Sequence, residues 1–283
     1  MQRKPPEIIA EAGVNHSGVL AKAHALVEAA VAAGALVVKF QTFNPGKLVR
    51  AHDPDFVPLV NLALGHGEFR FLARQCEDLQ IEFLSTPGDA DSLRFLIEEC
   101  GVRRIKIGSD DLIYKPLLEA AAASDLPVLL STGMATIEEV MRAASHFDVD
   151  KITLLHCVSI YPCPPEKANL RAMGALRSEA FPWGRRVGYS DHTRGIDACM
   201  AAAALGACVI EKHFRLAGDI DCPDAAVSCG PGELAALVRG VRQVHEMLGH
   251  GRKEPWPEEL ANAAKWRKDD EGYRPGTMAE AAA

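Results

Sequence analysis

The sequence predicts a (β/α)8 barrel, an α/β fold in which eight parallel strands close on themselves inside a ring of helices. Three observations lead there. Short β-rich runs alternate with longer helical patterns along the chain, eight times in succession. The runs are apolar throughout, as suits strands covered on both faces. No Gly-rich dinucleotide fingerprint follows the first strand, which counts against a doubly wound open sheet, the other fold with this alternation.

The elements follow in order. Strand one is expected over Ile8–Glu11 with a helix over Ala21–Ala33, and strand two over Val37–Gln41 with a helix over Phe69–Leu79. Between the latter two lies Asn44–Glu68, a long connection bearing Gly and Pro; long βα loops in barrels cover the active-site mouth. The third unit pairs Glu82–Thr86 with Asp91–Glu99, the fourth Arg104–Gly108 with Lys115–Ala123, and the fifth Val128–Ser131 with Ile137–His146. The sixth pairs Ile152–Cys157 with Asn169–Ser178, and the seventh Val187–Tyr189 with the Ala-rich Ile196–Leu205. Cys208–Lys212 and Gly232–Leu248 complete the eighth. From about residue 250 the chain turns polar, rich in charge and proline, and Gly272–Ala283 reads as a loose tail. No linker divides residues 1–283, so one domain is expected.

Composition narrows the function. With 48% hydrophobic and 24% charged residues the chain can build a substantial core. A formal net charge of −7 and only short Lys/Arg clusters, such as Arg103–Lys106, exclude a nucleic-acid surface. An anionic small substrate remains compatible, because a pocket can be basic on an acidic protein. Eight cysteines without a CxxC pair read as reduced, mostly buried thiols of a cytoplasmic protein. No apolar stretch approaches the ~20 residues of a membrane span, and the N-terminus lacks a secretory apolar region.

Chemistry in a barrel gathers at the C-terminal strand ends. Read in order, those ends offer Glu11, Asn15 and His16; Lys39 and Gln41; Ser85 and Thr86; Lys106, Ser109 and Asp111; Ser131 and Thr132. The last three offer His156, Ser159 and Tyr161; Ser190, Asp191 and His192; Glu211, Lys212 and His213. Lys39 and Lys106 lie in otherwise apolar strands and need anionic partners. Those partners are either Glu11 or Glu211, in a structural ion pair, or a bound phosphate or carboxylate cradled also by Thr86, Ser109, Ser131 and Ser190. His192 and His213, at adjacent strand ends, are either satisfied core histidines or ligands within reach of one metal ion. Imidazoles suit Mn, Fe, Co or Zn. Two protein ligands are too few for a structural zinc and leave positions open for catalysis.

The segments IIAEAGVNHSG, VVKFQTF, FLSTP, KIGSDD, LLSTGMAT, LLHCVSIYP, VGYSDHTRGI and VIEKHF, in that order, resemble the sialic acid synthase family over roughly residues 7–250. Members condense phosphoenolpyruvate with an N-acetylated hexosamine, so the resemblance implies such an activity on a (β/α)8 barrel. It implies a divalent metal on His192 and His213, manganese first, with magnesium or cobalt as alternatives. Lys39, Thr86, Lys106, Ser109, Ser131 and Ser190 match positions that hold phosphoenolpyruvate. Glu11, Gln41, Tyr161 and Asp224 match positions around the sugar and the reacting centre, and Asp111 and Ser159 fall among the substrate contacts. Glu11, Lys39, Lys106 and Glu211 are the expected catalytic groups. Asp111 stands where Glu is common, and Ala225 and Ala226 replace a His-Lys pair. Family members usually carry a C-terminal antifreeze-like domain that lends an arginine to the partner subunit's sugar site, and this chain ends before one. A homodimer, or a separate antifreeze-like protein, is therefore an expected partner. A synthase for another aldose, and a barrel that binds a sugar or its phosphate without turnover, are the alternatives.

Overall fold

In a computed structural model, which describes residues 4–274, eight parallel strands form one sheet in the order β3-β2-β1-β8-β7-β6-β5-β4. The strands are β1 (Glu7–Gly13), β2 (Val37–Thr42), β3 (Glu82–Pro87), β4 (Ile105–Ile107), β5 (Val128–Ser131), β6 (Ile152–His156), β7 (Val187–Asp191) and β8 (Val209–His213). The ends of that order, β3 and β4, lie against each other, so the barrel is nearly closed. The helices are α1 (Leu20–Ala32), α2 (Pro45–Leu48), α3 (Phe56–Leu62), α4 (His66–Asp78), α5 (Ala90–Glu98), α6 (Lys115–Ala123), α7 (Ile137–Ala144), α8 (Ala172–Glu179), α9 (Asp197–Ala204), α10 (Pro231–Leu248) and α11 (Pro257–Trp266).

Two layers of apolar side chains follow from the strand period of two. Inside the barrel, Ile9, Val37, Leu84, Leu129, Leu155 and Val209 form a small buried plug. Gly188 of β7 sits at the same level, where a Cβ would come within 2.6 Å of both a Leu155 methyl and the Val209 carbonyl. Outward-facing neighbours such as Ala10, Val38, Ile107, Leu130, Leu154 and Ile210 pack against Leu26, Leu72, Leu96, Leu117, Val140 and Leu237 of the helices. Parallel register aligns the strand ends: Glu11 lies opposite Lys39 on one side and His213 on the other, and Ser190 opposite Glu211.

Two segments to which the sequence assigned no element hold helices. The Asn44–Glu68 connection holds α2 and α3 as well as the start of α4. Asn44 caps α2 by accepting from the Gly46 N–H, and Pro45 occupies its first turn, where no amide is needed. The polar tail also contains a helix, α11, again with Pro in the first turn; Glu259 accepts from the Trp256 N–H at 2.8 Å. Contacts group the chain into two compact units that divide after Met247, the second holding α11. Most of Gly272–Ala283 lies outside the described residues.

Candidate active site

Moving two residues along a strand from the plug returns to the same face one level up. From Ile9 this gives Glu11; from Val37, Lys39 and then Gln41; from Leu84, Thr86; from Leu129, Ser131; from Gly188, Ser190; from Val209, Glu211 and then His213. A cavity of about 450 Å³ stands on this polar tier, and Lys106, Ser109, Asp111, Ser159, Tyr161, His192 and Asp224 also line it. Every site residue expected from the sequence therefore lines one cavity. The odd members of the strand-end set do not. Ser85, His156, Asp191 and Lys212 alternate to the helix side: Ser85 bonds Thr42, and His156 donates to the Ala168 carbonyl at 2.9 Å. Thr132 donates to the Leu155 carbonyl. Asn15 is a brace, donating to the Phe214 carbonyl and Ser228 and accepting from the Asp224 N–H. His16 accepts from the Gly18 N–H.

The floor of the cavity is a four-membered charge cluster. Lys39 Nζ lies 2.9 Å from Glu11 and 3.6 Å from Glu211, and it donates to Thr86 at 2.9 Å. Lys106 Nζ lies 3.8 Å from Glu211 and donates to the Ile107 carbonyl at 3.3 Å. The ion pairs are thus present, but they do not exhaust the site. Glu11 Oε2, Glu211 Oε2 and the Ser131 hydroxyl are buried without an aligned hydrogen-bond partner. The two carboxylates are driven apart. Burial raises the Glu11 pKa in spite of Lys39. Burial of Glu211 is outweighed by Lys106 and Lys39, and its pKa is lowered. Burial disfavours the Lys39 ammonium, yet Glu11 and Glu211 hold its pKa above the ordinary value.

At the ends of β7 and β8, beside this cluster, the rings of His192 and His213 lie 5.5 Å apart. Nδ1 of His192 faces the Val158 carbonyl at 2.8 Å and so carries the proton, which leaves Nε2 to accept from the Tyr161 hydroxyl at 2.8 Å. Burial, with His213 beside it, lowers the His192 pKa to about 4, so this ring is neutral. His213 is buried too, but Asp224, 3.3 Å from its Nδ1, raises its pKa overall. Among the described residues no three His, Cys, Asp or Glu side chains gather as a metal-ligand set. The donor chemistry fits an open site: two imidazoles share one cavity wall, and the neutral one has its second nitrogen anchored on a backbone carbonyl.

The model of the NeuB family matches residues 26–253. The chain belongs to the NeuB family. Relatives include the N,N'-diacetyllegionaminic acid synthase of Legionella pneumophila, 39% identical over 92% of this chain and 78% of that one. The N-acetylneuraminate-9-phosphate synthase of Homo sapiens is 35% identical over 91% and 75%. Among solved structures, the N-acetylneuraminic acid synthetase of Leptospira borgpetersenii, in complex with citrate, superposes with a TM-score of 0.86 at 37% identity, covering 94% of each chain. This NeuB-family chain is accordingly an enzyme of the sialic acid synthase type, a condensing transferase.

Sequence reasoning missed several walls of the NeuB-family site. Phe43 and Leu48 lie over the cavity beside Gly88, where a Cβ would meet the Phe43 Cβ at 2.8 Å. Lys47 ties the same segment to Asp89 and Asp91 at the start of α5. Cys157, read as a buried thiol, is also a lining residue and shares a hydrogen bond of 3.1 Å with Ser109. Gly133 packs so closely that a Cβ would lie 2.8 Å from the Ser109 hydroxyl and 3.0 Å from the Cys157 sulfur. The available signal was positional: Cys157 stands two residues beyond Leu155 of the plug. A second cavity, of about 430 Å³, lies between the segments that follow β5 and β6 and the helices α7 and α8, and it shares Met134, Cys157 and Ser159 with the first. It lacks the lysine–glutamate floor.

Proposed function

We propose that this cavity binds phosphoenolpyruvate together with the open-chain aldehyde of an N-acetylated hexosamine, N-acetylmannosamine-like, and joins them into a sialic-acid-type 2-keto acid. The observation that carries the reading is the pair of buried ammonium groups, Lys39 and Lys106, facing an unpartnered Ser131 hydroxyl inside a cavity of substrate size. Phosphoenolpyruvate is a phosphate and a carboxylate on a three-carbon frame. Lys39 and Lys106 balance those charges, and Thr86, Ser109, Ser131 and Ser190 supply hydroxyl donors around them. Gln41, Asp111, Ser159, Tyr161 and Asp224 face the acceptor side.

The bond that forms joins C3 of phosphoenolpyruvate to the aldehyde carbon. Water then adds at C2, and the C2–O bond to phosphate breaks, releasing inorganic phosphate and leaving the ketone. Glu11, whose carboxyl is pushed towards its neutral form, gives its proton to the aldehyde oxygen as the C–C bond forms, and as a carboxylate it then takes the proton of that water; ionised Glu211 lies 3.6 Å from Lys39 and 3.8 Å from Lys106. His192 and His213 would hold a divalent ion, manganese first and magnesium or cobalt as alternatives, which when bound would supply Lewis acidity at the acceptor's carbonyl oxygen. The Val158 carbonyl orients the His192 ring through Nδ1, and Asp224 orients that of His213.

The test is phosphate release from phosphoenolpyruvate across a panel of N-acetylated hexoses, with and without manganese. Acceptor-dependent release supports the reading. Phosphate release that ignores the acceptor, or none with any member, contradicts it.

A further inference from the structure

Directly behind the two histidines lies a second charged group that the proposed reaction does not use. Asp191 and Lys212 are cross-strand partners at the ends of β7 and β8, and each immediately precedes one of the histidines. Both side chains are 0% exposed and neither lines the cavity. The Lys212 ammonium donates to Asp191 at 2.7 Å and to the Thr193 carbonyl at 2.5 Å. The Asp191 carboxylate also accepts from the Tyr189 hydroxyl and the Thr193 N–H, both at 2.9 Å, and from the Thr193 hydroxyl at 3.2 Å. Cys199 adds a thiol contact at 3.3 Å.

Stability alone is a poor account of this pair. Two charges lose their hydration, and apolar side chains of similar size are often as good or better for stability. What the pair does that apolar packing cannot is fix direction. It grips Thr193 at both ends, through its N–H on Asp191 and its carbonyl on Lys212. His192 is held between those two points, and its own carbonyl accepts from the Cys163 N–H at 2.8 Å, tying in the segment that carries Tyr161. On β8 the side chains alternate, so anchoring Lys212 outward turns His213 inward.

We propose that the Asp191–Lys212 ion pair is a positioning device that sets the facing imidazoles of His192 and His213, and that its loss impairs turnover without loosening the lysine cradle. The turnover arm rests on the function proposed above; the spectroscopic arm does not.

The experiment compares Asp191→Asn, Lys212→Met and the double variant with wild type. Each single change leaves one buried group without its partner and should lower the melting temperature. The double variant removes both charges, keeps an acceptor for the Thr193 N–H, and should recover much of that loss. Its kcat should nevertheless fall about 100-fold, the scale of an ångström-sized misplacement at a reacting centre. Phosphoenolpyruvate affinity by calorimetry should stay within about threefold of wild type, because Lys39 and Lys106 are untouched. The imidazole 15N–1H spectra of His192 and His213 should shift in the double variant. Wild-type kcat with unmoved imidazole signals would overturn the proposal. So would a parallel collapse of phosphoenolpyruvate affinity, or failure of every variant to fold, since either makes the pair a general structural support. If wild type shows no condensation at all, the functional reading fails, and the imidazole signals alone decide whether the pair positions the histidines.

Discussion

The barrel has an ionic cluster at each end, and the two are built on opposite plans. At the N-terminal end, Arg104 bonds both carboxylate oxygens of Glu7, at 2.6 and 2.9 Å, and both of Glu82, at 2.7 and 3.0 Å. One cation links the starts of β1, β3 and β4, and its bidentate forks use the carboxylate oxygens fully. At the C-terminal end, Lys39, Lys106, Glu11 and Glu211 share a deeper site with longer contacts, unaligned carboxylate oxygens and an idle serine hydroxyl. A cluster that satisfies itself holds strands together. One that leaves donors and acceptors spare, beside a cavity, is arranged for something that arrives later.

The largest effect is expected beside the C-terminal cluster, at the histidines. His192→Ala and His213→Ala should each lower turnover more than about 100-fold, the worth of several kcal/mol of charge stabilisation. Manganese binding by calorimetry should disappear while the circular dichroism spectrum stays native. Retained manganese affinity in both variants would remove the metal from the account. Arg104→Met addresses the other end. It leaves Glu7 and Glu82 facing each other and should cost about 2 kcal/mol in denaturant unfolding, between the exposed and buried limits for such pairs. Steady-state constants should not change, and an altered Michaelis constant for phosphoenolpyruvate would blur the division between the ends.

A smaller effect is expected at Asp111. Burial, with Asp110 and Asp89 nearby, raises its carboxyl to about 7 despite Lys106. The folded protein therefore keeps a proton that the unfolded chain has already lost, from the ordinary carboxylate range up to about pH 7. Stability falls as pH rises through that window and levels off above it. Asp111→Asn lacks the titration, so its stability should gain on wild type as pH rises across the window. In wild type, ionisation above about pH 7 places a negative charge near Lys106 and should weaken phosphoenolpyruvate binding a few-fold; Asp111→Asn should be flat there. Parallel pH profiles for the two proteins would show that Asp111 does not titrate in this range.

Much of this was legible in the sequence because strand periodicity carries it. Lys39 and Lys106 stood out as charges within apolar runs, and every residue carried over from the family motifs reaches the same cavity. What the strand ends alone could not decide was facing. Ser190 and Asp191 look equivalent in a list of polar residues, yet one points into the barrel and the other at the helices. Phe43 and Leu48 were hidden for a different reason. Their role depends on how a long connection folds back on Gly88, which no local period encodes. The α11 helix was hidden in the polar, proline-bearing stretch after residue 250, although Pro257 and Glu259 form a recognisable start.

The claim that the C-terminal cluster is a ligand site and the N-terminal one a brace is tested most directly by calorimetric titration of phosphoenolpyruvate. The proteins are wild type, Lys39→Met, Lys106→Met and Arg104→Met. The two lysine variants should lose at least about tenfold in affinity, as expected when a charge-assisted contact of ~1.5–3 kcal/mol is removed, and Arg104→Met should match wild type. Wild-type affinity in both lysine variants, or a loss in Arg104→Met as large as theirs, would contradict the account.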